Sequence, residues 1–299
     1  AYEASVGVTS VCPATMTLPE DTLAQVMASA AQYKKDGIKP GHAGLVGINM
    51  EGPFISAEKK GAQAEQYIRP CDVDFFQRLQ DMSGGLIKLV DIAPEKEGAV
   101  EFIEAMKDKI VISLAHTAAD YDTAKAAYDK GARHVTHLYN AMLPFTHRAP
   151  GVIGAACDSP HVMAELICDG VHIHPAVVRA TFQMFGDDRM ILISDSMRAA
   201  GMPDGQYTLG GQAVTVKGKY ATLVSDGALA GSVTNLMDCM RTAVKEMDIP
   251  LESAVACATI NPAKAIGIDK DYGSIAPGKV ANLILLDKNL NIIDIIING

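Results

Sequence analysis

Between residues 6 and 194, short β-branched runs alternate with stretches of helical period, the rhythm of a parallel sheet with crossover helices. The strand candidates are Val6 to Cys12, Leu45 to Met50, Leu86 to Ile92, Ile110 to Ala115, His134 to Leu138, Met163 to Ile167 and Met190 to Ser194. Helices are expected near Asp21 to Lys35, Val73 to Met82, Lys96 to Lys107, Ala119 to Asp129 and Pro175 to Phe185. That makes seven strands, one short of a closed (β/α)8 barrel. The chain begins at Ala1 without methionine, and Ala-Tyr-Glu-Ala-Ser-Val-Gly-Val-Thr-Ser reads as a helix end running into a strand. The expectation is therefore an α/β chain, a TIM-type (β/α)8 barrel lacking its first strand because the natural protein starts earlier.

After Asp195 the rhythm changes. Gly205 to Asp226 is glycine-rich and alternating, as antiparallel hairpins are. Helices return at Ser232 to Met247 and at Leu251 to Ala258, the second started by Pro250. Two more strands follow, Ala281 to Leu286 and Ile292 to Ile297. The expected division is a main barrel part over 1–205, a β-hairpin insertion over 206–226, the last barrel helices over 227–272, and C-terminal strands of a small β-domain over 273–299.

A formal charge of -9 offers no footprint for nucleic acid or an anionic membrane. No apolar run reaches the roughly 18 residues of a membrane helix. The six cysteines form no C-x-x-C pair, which points to a reduced, cytoplasmic protein. The expected substrate is small, and any phosphate on it would be held by local cations and backbone N–H groups.

Four strand candidates end in residues capable of metal or proton chemistry: Glu51, His116, His137 and Asp195. Catalytic groups of this barrel class gather at the C-terminal strand ends. A carboxylate and two imidazoles leave a position of a zinc or iron ion open to water, and a further carboxylate, Asp195, would shuttle the proton. His42, His134 and His161 lack such placement and read as surface or structural residues. His172-Ile-His174 imitates a metal-binding H-x-H, but it follows Cys168-Asp-Gly and precedes Pro175. It therefore reads as a loop, with either substrate contact or plain solvation for His174. In the loop after His137, Arg148 is either an anion-binding guanidinium or an ordinary surface arginine, with Asn140 and Ala141 able to add an amide and a backbone N–H.

Together Met50-Glu-Gly-Pro-Phe-Ile, Leu114-Ala-His-Thr, Thr136-His-Leu-Tyr-Asn-Ala-Met, His147-Arg-Ala-Pro-Gly, Asp169-Gly-Val-His, Ile193-Ser-Asp-Ser-Met and Leu229-Ala-Gly-Ser resemble the N-acetylglucosamine-6-phosphate deacetylase family of the amidohydrolase superfamily. The resemblance covers nearly the whole chain. It implies Glu51, His116 and His137 as metal ligands, Asp195 as catalytic acid and base, and Asn140, Ala141, Arg148 and His172 as groups holding a sugar phosphate. It further implies a homodimer for the complete protein. The family's first strand, with its H-x-H or H-x-Q segment, is absent, so one ion per chain is expected rather than two. The alternatives are another amidohydrolase, acting on a cyclic amide or as a deaminase, and a non-catalytic fragment that binds metal or sugar phosphate.

Overall fold

In the computed structural model, which describes residues 1–299, a short helix α1 (Tyr2–Ser5) leads into β1 (Ser10–Val11). The helix α2 (Glu20–Asp36) then returns the chain to β2 (Gly44–Leu45), parallel to β1. Six further parallel strands follow in sequence order around one curled sheet: β3 (Ile48–Glu51), β4 (Ile87–Ile92), β5 (Val111–Leu114), β6 (His134–Val135), β7 (Met163–Ile167) and β8 (Met190–Ile193). Their crossovers carry α3 (Val73–Met82), α4 (Ala99–Met106), α5 (Tyr121–Lys130), α6 (Gly151–Cys157) and α7 (Pro175–Phe185). The β1 segment lies beside this sheet, because Thr15 N–H donates to Asn49 O and Asn49 N–H to Pro13 O, both at 2.9 Å. The sheet is thus a partial (β/α) barrel with the seven strand tracks that the sequence predicts.

Three strands differ most from expectation, for local reasons. The first strand narrows to Ser10–Val11, because the N–H groups of Val6, Gly7 and Val8 turn back onto α1 and Gly7 is left-handed (φ 86°). The second is interrupted between Leu45 and Ile48. The strand expected over His134 to Leu138 stops at Val135, because the backbone turns left-handed at His137 (φ 36°). Two helices were not expected: α6, which opens Gly-Val-Ile-Gly, and α10 (Ile260–Ala265), which follows α8 (Leu236–Glu246) and α9 (Leu251–Ala258). Both are too short to show a helical period.

Helix starts are fixed by side chains. Asp72 accepts from Phe75 N–H at 3.0 Å, Asp120 from Thr123 N–H at 2.9 Å, and Asn235 from Asp238 N–H at 2.9 Å. Strands β3 and β5 are buried at every residue, as strands covered on both faces are. Phe54, just past β3, is fully buried and packs on Phe75 of α3 and Phe102 of α4, with ring centroids 5.8 and 5.4 Å away. Glu51 therefore sits on an anchored strand end.

Beyond β8 the chain forms an antiparallel sheet of β9 (Gly205–Leu209), β10 (Gln212–Lys217) and β11 (Tyr220–Leu223) with its own small core: Val214, Val216, Ala221 and Leu223 pack with Met197 and Ala199. The C-terminal strands β12 (Leu283–Leu286) and β13 (Ile292–Ile296) pair antiparallel. No helix is long and apolar enough to cross a membrane.

Candidate metal centre

Glu51 is the last residue of β3, while His116, His137 and Asp195 each lie two residues past β5, β6 and β8. These last three all adopt left-handed backbone, with φ of 45°, 36° and 45°. For a residue with a Cβ this costs on the order of 1–3 kcal/mol and persists only where the surroundings enforce it. The turn swings each side chain from the strand direction into the mouth of the barrel. Gly52 makes the matching turn after Glu51: at φ 73°, a Cβ there would stand 2.1 Å from Thr17 Oγ1.

The structure brings Glu51, His116 and His137 together. One ligand-type atom from each lies within 4.8 Å of the others, and all three residues are buried. His116 Nε2 is 3.1 Å from Glu51 Oε1 and 3.2 Å from His137 Nε2. His116 Nδ1 lies 2.8 Å from Lys59 O, an acceptor only, so Nδ1 carries a proton and the neutral ring turns its Nε2 lone pair toward Glu51 and His137. Three electron-rich atoms facing one another call for a positive charge between them. A proton on His116 is one answer. Burial pushes Glu51 up, but the His116 hydrogen bond and the charges of both imidazoles outweigh it and hold the carboxyl below its ordinary range. Burial pushes His116 down, and the bond and charge of Glu51 reverse that. His137 falls to about 4 through burial and then the His116 charge. A divalent cation is the other answer, and the donor set of one carboxylate oxygen and two imidazole nitrogens suits it.

Asp195 feels the same charges. Burial, then Glu51, pushes its carboxyl up to about 7, while His172 and His116 pull the other way. Its backbone is pinned: Ser232 N–H donates to Asp195 O at 2.8 Å, and Met197 N–H to Ser232 O at 2.9 Å. This gives the Leu229-Ala-Gly-Ser segment a structural task.

The other expected site residues divide. His172 is held by Asp169, whose Oδ2 lies 2.7 Å from His172 Nδ1 and whose Oδ1 accepts the N–H groups of Val171 and His172. With Nδ1 committed, Nε2 is the atom left for a ligand. Asn140 Nδ2 donates into its own turn, to His137 O and Leu138 O, and Ala141 is left-handed at φ 52° with its carbonyl bound by Thr117 N–H. Arg148 stays on an exposed loop, its guanidinium 2.8 Å from the adjacent His147 Nε2. His174 caps α7 by accepting from Ala176 N–H, which favours the plain reading of that residue. His134 is buried, as a structural histidine, and His42 is exposed.

Sequence reasoning missed Gln63. It is buried, donates from Nε2 to Glu51 Oε1 at 2.7 Å and accepts Thr17 N–H at 2.6 Å. A lone glutamine in a loop carries no periodic signal, and only its closeness to the Glu51 segment pointed to it.

The amidohydrolase family profile matches residues 7–299. The chain is 41% identical over 296 residues to an N-acetylglucosamine-6-phosphate deacetylase of Bacillus subtilis, covering 98% of this chain and 74% of the relative. It is 36% identical over 299 residues to an N-acetylgalactosamine-6-phosphate deacetylase of Escherichia coli O157:H7, covering 100% of this chain and 78% of the relative. Among solved structures, a mutant N-acetyl-D-glucosamine-6-phosphate deacetylase of Mycobacterium smegmatis in complex with N-acetyl-D-glucosamine-6-phosphate superposes with a TM-score of 0.93 at 32% identity, over 99% of this chain and 78% of that one. The chain belongs to the amidohydrolase family, on its N-acetylglucosamine-6-phosphate deacetylase branch.

Proposed function

We propose that this chain hydrolyses the acetamide of N-acetylglucosamine 6-phosphate to glucosamine 6-phosphate and acetate, with Glu51, His116 and His137 holding one divalent ion, zinc or iron. The observation that carries this reading is the convergence of the three buried donor atoms within 4.8 Å of one another. A divalent ion held there supplies Lewis acidity, lowering the pKa of water and polarising the acetyl carbonyl. Asp195 takes a proton as the water oxygen bonds to the acetyl carbon, then returns it to the sugar nitrogen as the C–N bond breaks. Burial and Glu51 raise this carboxyl and a bound ion lowers it again, so at neutral pH it is ionised and ready to accept the proton. His172, fixed by Asp169, presents Nε2 to the substrate. Asn140, Ala141 and Arg148 complete the hold on the sugar phosphate, with Arg148 reading the phosphate through its exposed guanidinium.

Six free cysteines suit the reducing cytoplasm, where a sugar 6-phosphate is met. The family resemblance further implies a homodimer, which sedimentation would read directly. The test of function is acetate release from N-acetylglucosamine 6-phosphate, its galactose epimer and unphosphorylated N-acetylglucosamine. Fastest release from the first is expected. No release from either phosphorylated sugar, with zinc or iron supplied, would contradict the proposal.

A further inference from the structure

Beneath the triad, the inner face of the sheet carries a second polar layer. Glu51 pairs in register with Asp91, Asp91 with Ser113, and Ser113 with His134, across four successive strands. Register partners point to the same face. Asp91, Ser113 and His134 are at most 1% exposed, in a position where such a barrel ordinarily packs Val, Ile and Leu. Ser113 Oγ lies 2.8 Å from Thr136 Oγ1 and 3.0 Å from His134 Nδ1. Asp91 is the hub: its Oδ1 accepts from Thr136 Oγ1 at 2.8 Å and its Oδ2 from Asn49 Nδ2 at 3.0 Å.

The two partners of Asp91 are placed to matter. Asn49 lies two residues before Glu51, and Thr136 immediately before His137. One carboxylate on β4, a strand that brings no residue to the triad, thus grips both strands that carry the outer members, reaching past β5 to do so. The left-handed turn at His137 needs such a grip, and Glu165 Oε2 helps from the next strand by accepting His137 N–H at 3.4 Å. An apolar side chain at 91 would fill the space without fixing either strand.

We propose that Asp91 is a positioning residue of the metal centre, holding His137 through Thr136 and the end of β3 through Asn49 so that the three donor atoms keep their mutual distances. This rests on the reading of Glu51, His116 and His137 as ligands. The experiment is a zinc titration against a chromophoric chelator, with melting curves of the zinc-free chains, on the wild type, Asp91→Leu, Asp91→Asn, Thr136→Val and His137→Ala. Thr136→Val cuts the same hydrogen bond from the other end without touching a charge. It and Asp91→Leu are expected to weaken zinc binding by roughly 10–100-fold. Asp91→Asn still accepts from Thr136 through its Oδ1, and once the Asn49 side-chain amide turns over, the new Nδ2 donates to the otherwise unpartnered Asn49 Oδ1, so it should stay within a few-fold of the wild type. A merely structural role would lower the melting temperature and leave zinc affinity unchanged. Zinc binding lost in His137→Ala but within about two-fold of wild type in Thr136→Val overturns this inference alone, even where Asp91→Leu fails to fold. Binding that survives His137→Ala overturns the ligand reading and this inference with it.

Discussion

The strand ends that carry Glu51, His116 and His137 and the loop that carries Asp195 meet in one mouth but stand on different supports. All four lie at or just past the ends of strands embedded in a core of 50 buried residues, which includes Met190 and Leu192 of β8, but Asp195 has a second support besides. The Asp195 loop is tied by Ser232 and leans, through Met197 and Ala199, on a satellite core of seven residues under the three-stranded sheet. On the proposed roles, the cation is held by the barrel alone and the proton is moved from a loop that the smaller sheet also braces. If that division is real, damage to one support should leave the other function standing.

The largest effect is expected from the barrel side. His116→Ala or His137→Ala should reduce acetate release to assay background, since both the charge and the geometry of the centre depend on each imidazole. Retained turnover in either variant would remove that histidine from the site. Asp195→Asn comes next, lowering kcat by roughly 10²-fold or more while metal content stays at the wild-type level. Loss of metal in Asp195→Asn would erase the contrast between the two supports.

A pH profile sharpens the same comparison. Burial and Glu51 raise the Asp195 carboxyl to about 7, and the reaction needs its ionised form, so kcat/KM should fall as the pH drops through the pKa of this group. The positive charge of a bound ion moves that limb below 7. The limb should vanish from the residual activity of Asp195→Asn, and an unchanged limb there would assign it to another group.

Smaller still is the effect of loosening the satellite core. Leu223→Ala removes a buried side chain there, at a cost of about 2–5 kcal/mol that falls on the small sheet. Several-fold lower kcat with full metal content is expected, whereas metal loss would mean that the two regions are one mechanical unit. Arg148→Ala should be the mildest change at saturating substrate: KM rises for the 6-phosphorylated sugar and not for its unphosphorylated counterpart. Equal effects on both sugars would take Arg148 away from the phosphate.

The two regions also differed in how far the sequence disclosed them. The triad was legible because each member ends a short β-branched run, and strand ends of a parallel barrel converge whatever the details of packing. The placement of Asp195 past a strand end was legible for the same reason, but its backbone tie to Ser232 was not, since Ser232 lies 37 positions further along the chain. Asp91 did interrupt the apolar run Leu-Val-Asp-Ile, yet its partners Asn49 and Thr136 follow from strand register, which one strand's sequence does not contain. Gln63 and Asp169 act from loops, where no periodicity marks a position. Arg148, prominent in the sequence, stands exposed beside His147 rather than within the buried cluster.

The proposed roles of all the other residues depend on Glu51, His116 and His137 holding one divalent ion. Elemental analysis of the purified wild-type chain beside His116→Ala, His137→Ala and Asp195→Asn tests it most directly. One zinc or iron per chain in the wild type and in Asp195→Asn, with little in either histidine variant, is the predicted result. Equal metal content in all four would contradict it.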